Sequence, residues 1–172
     1  MSAKFLSAVA AALLLSASAV NAADLTDSQI AHVAYTAGQI DIDAAKLALQ
    51  KGSSADVKAF ANDMIRDHQA VNDQAMALLK KLNVTPADND TSKGLVSNAA
   101  AKTKDLSALS GADFDRAYIA NEVAYHKAVN GALQTTLIPG AKNGELKDLL
   151  STGLKIFTGH QQHAEMLAAS VK

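Results

Sequence analysis

The chain has 172 residues, a length that predicts one domain. Apolar residues make up 49% but aromatics only 4%, and with no Trp and two Pro the alanine-rich remainder favours helix over sheet. A formal net charge of −1 supplies no basic stripe, which sets nucleic-acid binding aside, and zero Cys excludes disulfides and a lipid-modified cysteine.

Residues 1–23 read as a cleavable secretory signal rather than part of the fold. Lys4 precedes an apolar run from Phe5 to Leu15, and small residues lead to a cleavage point after Ala22 or Ala23. That run is too short to span a bilayer, so no transmembrane anchor is expected after processing. The expected location is the periplasm or the exterior of the cell.

Four long helices are predicted in residues 24–172, at about 26–51, 54–83, 111–136 and 143–170. The first opens on a capping-box pattern, Thr26 with Gln29, and stops at Gly52. Ser53 or Ser54 caps the second almost at once, so the turn between them forces an antiparallel pair. Residues 84–110 are turn-rich, with LVSNAAAKTKDLSAL predicted as one short, weak helix. Ser110 with Asp113 caps the third helix, and Pro139-Gly140 breaks the chain before the fourth. Short, long and short connections suit an all-α, ferritin-like four-helix bundle with the long crossover between helices two and three. An up-down-up-down bundle is the alternative topology.

Hydrophobic periodicity places chemistry on the inward stripes. Helix two runs Val57, Phe60, Met64, then Val71, Ala75, Leu78 and Leu82, and His68 fills the gap. Helix three reads Ile119, Glu122, His126, Val129, Leu133, so Glu122 and His126 share a face at i, i+4. Helix four reads Leu146, Leu150, Gly153, Phe157, His160, Ala164, Leu167, and helix one carries Asp41 among Ile30, Ala34, Ala37, Ala44 and Ala48. Asp41 lies 11 residues before Gly52 and His68 lies 16 after it, so their levels differ by roughly 7 Å at ~1.5 Å per residue.

Buried charges without partners cost several kcal/mol, so Asp41, His68, Glu122, His126 and His160 must meet something. Two readings follow. One is a cation held by these five residues; three His and one or two carboxylates suit a single Zn, Fe, Cu or Ni ion. The other is a metal-free network of His and acid side chains titrating near neutral pH. Asp67, read as solvated but within reach of the site, and His163, read as facing water, are secondary candidates for metal. His32 is expected at the surface or rim, and Tyr118 and Tyr125 at the core or its boundary. Met64, Met76 and Met166 are scattered rather than clustered for copper. Catalytic elbows, phosphate loops and HExxH motifs are absent from the sequence.

The stretches FANDMIRDHQAVNDQAMALLKKLNV, FDRAYIANEVAYHKAV and LKIFTGHQQHAEML together resemble the bacterial exported family called domain of unknown function 4142. The likeness spans about residues 27–168. It implies a ferritin-like fold and places the family positions on Asp67 and His68, on Phe114, Asp115, Tyr118 and His126, and on His160 with Ala164 and Leu167. Where the family carries a Glu on helix one, this chain offers Asp41; where a Pro commonly precedes the last His, Lys155 stands. The resemblance implies no activity.

Three functions are weighed on this basis. The first is a metal-binding protein of the cell envelope for sequestration or stress protection. The second is a metal-free module for envelope interaction or stress response, with an unknown envelope partner. An enzyme is the third, and a di-iron oxidase is disfavoured: Ile65 and Phe157 stand where paired Glu-x-x-His motifs need glutamates.

Overall fold

The computed structural model describes residues 25–171, and over that range the chain is all-α. The predicted signal segment, residues 1–23, lies outside the described residues. Among the described residues no helix is long and apolar enough to cross a membrane.

Helix α1 spans Asp27–Lys51 and α2 spans Ala55–Lys81. The Thr26 capping box forms as expected: Gln29 N–H donates to Thr26 Oγ1, and Thr26 N–H donates to Gln29 Oε1. The tight connection has a cause that the local sequence does not reveal. Asp115, buried on a distant helix, accepts hydrogen bonds from the backbone N–H groups of Ser53 (3.1 Å) and Ser54 (2.8 Å) and from Ser53 Oγ (2.6 Å). A carboxylate there satisfies orphan donors at the start of α2 and complements its dipole. Gly52 does not stop α1 by a left-handed turn, since its φ is −70°. It permits close approach instead, because a Cβ would sit 2.7 Å from Asp115 Oδ1.

Helix α3 spans Asp90–Ser107, an 18-residue element where a short, weak helix was expected. A second capping box, Asn89 with Ser92, starts it inside the turn-rich stretch. It buries little beyond Ser92 and Leu106 and lies mainly against α1.

Helix α4 spans Gly111–Ala132. The expected Ser110 side-chain cap does not form; Gly111, at φ 60°, turns the chain into the helix. Beyond Ala132 the helical path continues through a π turn, Leu133–Leu137, and a single turn α5, Ile138–Gly140. Pro139 therefore does not break the chain where expected. It sits in the single turn α5 directly after the π turn, and the direction changes at Ala141. Helix α6 spans Gly144–Ser170, capped by Asn143 Oδ1 accepting from Leu146 N–H at 3.0 Å.

Helix α1 packs on α2, α2 on α6, α6 on α4 and α4 on α1. Their shared core is divided into three layers. One apolar cluster gathers Ala45, Ala48, Val57, Phe60, Met64, Phe114, Tyr118, Ile119, Ala164 and Leu167. Another gathers Ile30, Val33, Leu79, Leu133, Leu146, Leu150 and Phe157. On each of the four helices a buried carboxylate or imidazole falls between these two sets: Asp41, His68, Glu122 with His126, and His160. The polar layer is thus sealed at both ends by side chains that exclude water.

The Asp115 cap predicts a measurable loss. Asp115→Ala should destabilise the fold by about 3 kcal/mol, since it strands several donors at once. Urea unfolding should show a lower midpoint at unchanged slope.

Candidate metal centre

Three imidazoles from three helices meet in the polar layer. The ring centroids of His68, His126 and His160 form a near-equilateral triangle, 5.7, 5.6 and 5.4 Å on its sides. One ring nitrogen from each lies within 4.8 Å of the others, and Asp41, Glu122 and His126 form a second such group sharing His126. Asp41 Oδ2 links the two, 2.8 Å from His68 Nε2 and 3.3 Å from His126 Nε2. The five residues named from the sequence therefore share one place.

Hydrogen-bond accounting shows what this place lacks. His68 Nε2 and Asp41 Oδ2 meet each other, but Oδ1 of Asp41, Nδ1 of His68, Oε2 of Glu122, Nε2 of His126 and Nδ1 of His160 are buried without an aligned hydrogen-bond partner. Native interiors rarely leave such groups unpaired, because each costs ~1–3 kcal/mol. Here they converge.

The tautomer of His126 sharpens the point. Its Nδ1 lies 3.1 Å from the backbone carbonyl oxygen of Glu122. A carbonyl only accepts, so in the neutral ring Nδ1 carries the proton and Nε2 keeps its lone pair. Burial pushes this imidazole down to about 4, against an attraction to Asp41, so it is neutral near pH 7. Its lone pair therefore faces the Asp41 carboxylate across 3.3 Å with no hydrogen between them. Burial works to raise Asp41, but the attraction and contact of His68 at 2.8 Å outweigh it, a hydrogen bond from Glu122 adds to them, and the group is held below the ordinary carboxylate range. Glu122 goes the other way: burial, then the charge of Asp41, favour its protonated form. The layer thus presents a carboxylate and imidazole nitrogens to its centre, a donor set that attracts a cation.

The secondary candidates fall elsewhere. Asp67, expected to be solvated, keeps only a quarter of its side chain exposed and sits 3.0 Å from His160 Nε2. It belongs to neither ligand group among the described residues. His163, expected to face water, lies edge-on to Phe60 with ring centroids 5.2 Å apart and is also outside both groups. A ring that packs on the apolar layer is half removed from solvent without reaching the centre. His32 sits at the rim as expected, its Nδ1 4.0 Å from Asp88.

The sequence reading missed some of the surrounding polar shell. Asn72 and Asn130 are buried, where Val71 and Val129 were expected inward. Asn130 Nδ2 donates to the Phe157 carbonyl and to Gln161 Oε1, and Asn72 Nδ2 donates to the Tyr35 carbonyl. Each lies four residues beyond a buried His, so the i, i+4 relation was the available signal. Tyr118, four residues before Glu122, is fully buried with an unpartnered hydroxyl, and burial raises its ionisation well above the ordinary range. Tyr125, also raised by burial, donates to the Ala37 carbonyl at 2.9 Å.

The family model "Domain of unknown function (DUF4142)" matches residues 12–167. The chain belongs to this family. No curated protein sequence matches it closely enough to serve as a relative. A similar solved structure is that described as CopM in the Cu(II)-bound form, with a TM-score of 0.65 and 16% identity, covering 85% of this chain and 97% of that one. At that identity the likeness concerns the fold, in which this DUF4142 member places its His and acid residues.

The depressed ionisation of His126 gives a pH dependence with a definite sign. In the metal-free protein, unfolded His126 takes up a proton near 6.5 whereas the folded ring does so only near 4. This contribution therefore erodes stability as pH falls through that window. His126→Gln should flatten the wild-type slope of unfolding free energy between pH 6.5 and 4, measured by urea denaturation at successive pH values.

Proposed function

We propose that this DUF4142 protein is an exported, ferritin-like four-helix protein that binds one divalent transition-metal ion in its core, for sequestration or protection against metal stress. The observation that carries the reading is the gathering of buried ligand atoms from four helices into two groups that share His126, several of those atoms without a hydrogen-bond partner. His68, His126 and His160 supply imidazole nitrogens, with Asp41 and Glu122 as carboxylate ligands. Three imidazoles with carboxylate oxygen suit Cu(II), Zn(II), Ni(II) or Fe(II), and the Cu(II)-bound form of the structurally similar CopM makes Cu(II) the first ion to test. One ion rather than two is favoured because the two ligand groups share His126 and are bridged by Asp41 Oδ2. The enclosed layer suits holding an ion more than turning over a substrate. Ile65 and Phe157 stand where a di-iron oxidase needs glutamates, and Phe157 instead stacks on His68 at 4.3 Å.

A metal-free module for envelope interaction, with the same residues as a structural network, is the competing reading. The contact of His68 with Asp41 at 2.8 Å speaks for it. Its weakness is the number of atoms it leaves unpaired.

Titration with Cu(II) and Zn(II) after chelator treatment separates the two. Metal at 100-fold over Kd should stabilise the fold by about 2.7 kcal/mol, raising Tm by about 5–10 °C. His68→Ala with His126→Ala should abolish stoichiometric uptake. Binding should also release a proton as Glu122 ionises, seen as a buffer-dependent heat in calorimetry. Failure to bind either ion, with Tm unmoved, would overturn the proposal.

A further inference from the structure

Resting on that reading, the geometry points to Asp67 as a positioning residue: it fixes His160 so that Nδ1, not Nε2, is the nitrogen offered to the metal. His160 Nε2 lies 3.0 Å from Asp67 Oδ2. A carboxylate accepts, so the proton of a neutral, metal-competent imidazole resides on Nε2. Nδ1 is then the nitrogen with a free lone pair, and it is buried without a partner. His126 shows the opposite arrangement, with Nδ1 bonded to a carbonyl and Nε2 free. The centre would therefore combine imidazoles of both linkages.

Asp67 is itself held in place. Arg66 donates from Nε to Asp67 Oδ1 at 2.7 Å and from Nη2 to Oδ2 at 3.0 Å, while its Nη1 reaches Asp63 Oδ1 at 2.7 Å. An exposed pair of this kind adds little to stability on its own. Its value lies in orientation, because the same Oδ2 that meets Arg66 also meets a ring on another helix, 93 residues away. Two-point binding by Arg fixes the carboxylate plane, and the carboxylate fixes the rotation of the His160 ring. His160 is the most exposed of the three clustered imidazoles, at 7%, so it has the least packing to hold its ring and the greatest need of a polar clamp.

The test uses the purified protein with Zn(II) as a diamagnetic probe, and chelator competition to read affinity. Asp67→Ala should weaken Zn(II) binding about 10–100-fold. In a His160→Ala background it should change affinity by less than about twofold, since the two act through one ligand. Asp67→Glu should restore part of the loss, and Asp67→Leu, which keeps the bulk but cannot accept a hydrogen bond and should lose as much affinity, serves if the alanine variant does not fold. Long-range proton–nitrogen correlation spectra of the Zn(II) form should show His160 protonated on Nε2 and zinc-shifted on Nδ1. A merely structural Asp67 would not set that pattern. Equal affinity of wild type and Asp67→Ala, or zinc on His160 Nε2, overturns the inference and leaves the metal reading standing. A wild type that takes up no Zn(II) overturns both.

Discussion

The Asp41 carboxylate, buried in the core against two imidazoles, is the constraint around which this structure is arranged. An isolated carboxylate at that depth would protonate rather than remain charged. Contact with His68 keeps it anionic, while burial, and then the Asp41 charge, push the neighbouring Glu122 towards its acid form. Every one of the four long helices contributes a polar group to this layer, so their mutual register follows from where those groups must meet. The apolar clusters on either side stabilise the fold by burial, and they also shield the layer from bulk solvent.

Such a layer is costly for a protein that needs only to fold. Replacing buried polar groups with apolar ones of similar shape is often neutral or stabilising. Keeping two acids and three imidazoles together, with several of their polar atoms unpaired, therefore points to a use for the atoms themselves. The tautomers agree with this. Where a partner is present, at the Glu122 carbonyl for His126 and at Asp67 for His160, it takes one ring nitrogen and leaves the other bare. Outer partners arranged in that way are what orients imidazoles toward a metal.

Much of the centre was legible in the sequence because helical periodicity is strict over long elements. His68 betrays itself as the filler of a seven-residue gap, and the stripe of α6 from Leu146 to Leu167 is buried residue for residue as read. Legibility fails where a feature depends on a distant part of the chain. Nothing near Ser53 announces that Asp115 caps α2, and nothing near His160 announces that Asp67 meets its ring. Small phase errors also accumulate: the inward face of α2 passes to Asn72 and Leu79 rather than Val71 and Leu78. Helix α3 was under-read because turn-forming residues around Asn89 serve as its cap. Pro139 was over-read because a π turn upstream lets the chain carry it inside a helical turn.

The most direct test of the account is an anomalous-difference map from crystals of the protein soaked in Cu(II) or Zn(II), recorded at the metal edge. The account predicts one dominant peak in the polar layer, within bonding distance of ring nitrogens of His68, His126 and His160 and of a carboxylate oxygen of Asp41. A peak confined to surface His or acid residues, or no peak in that layer at saturating metal, would contradict it.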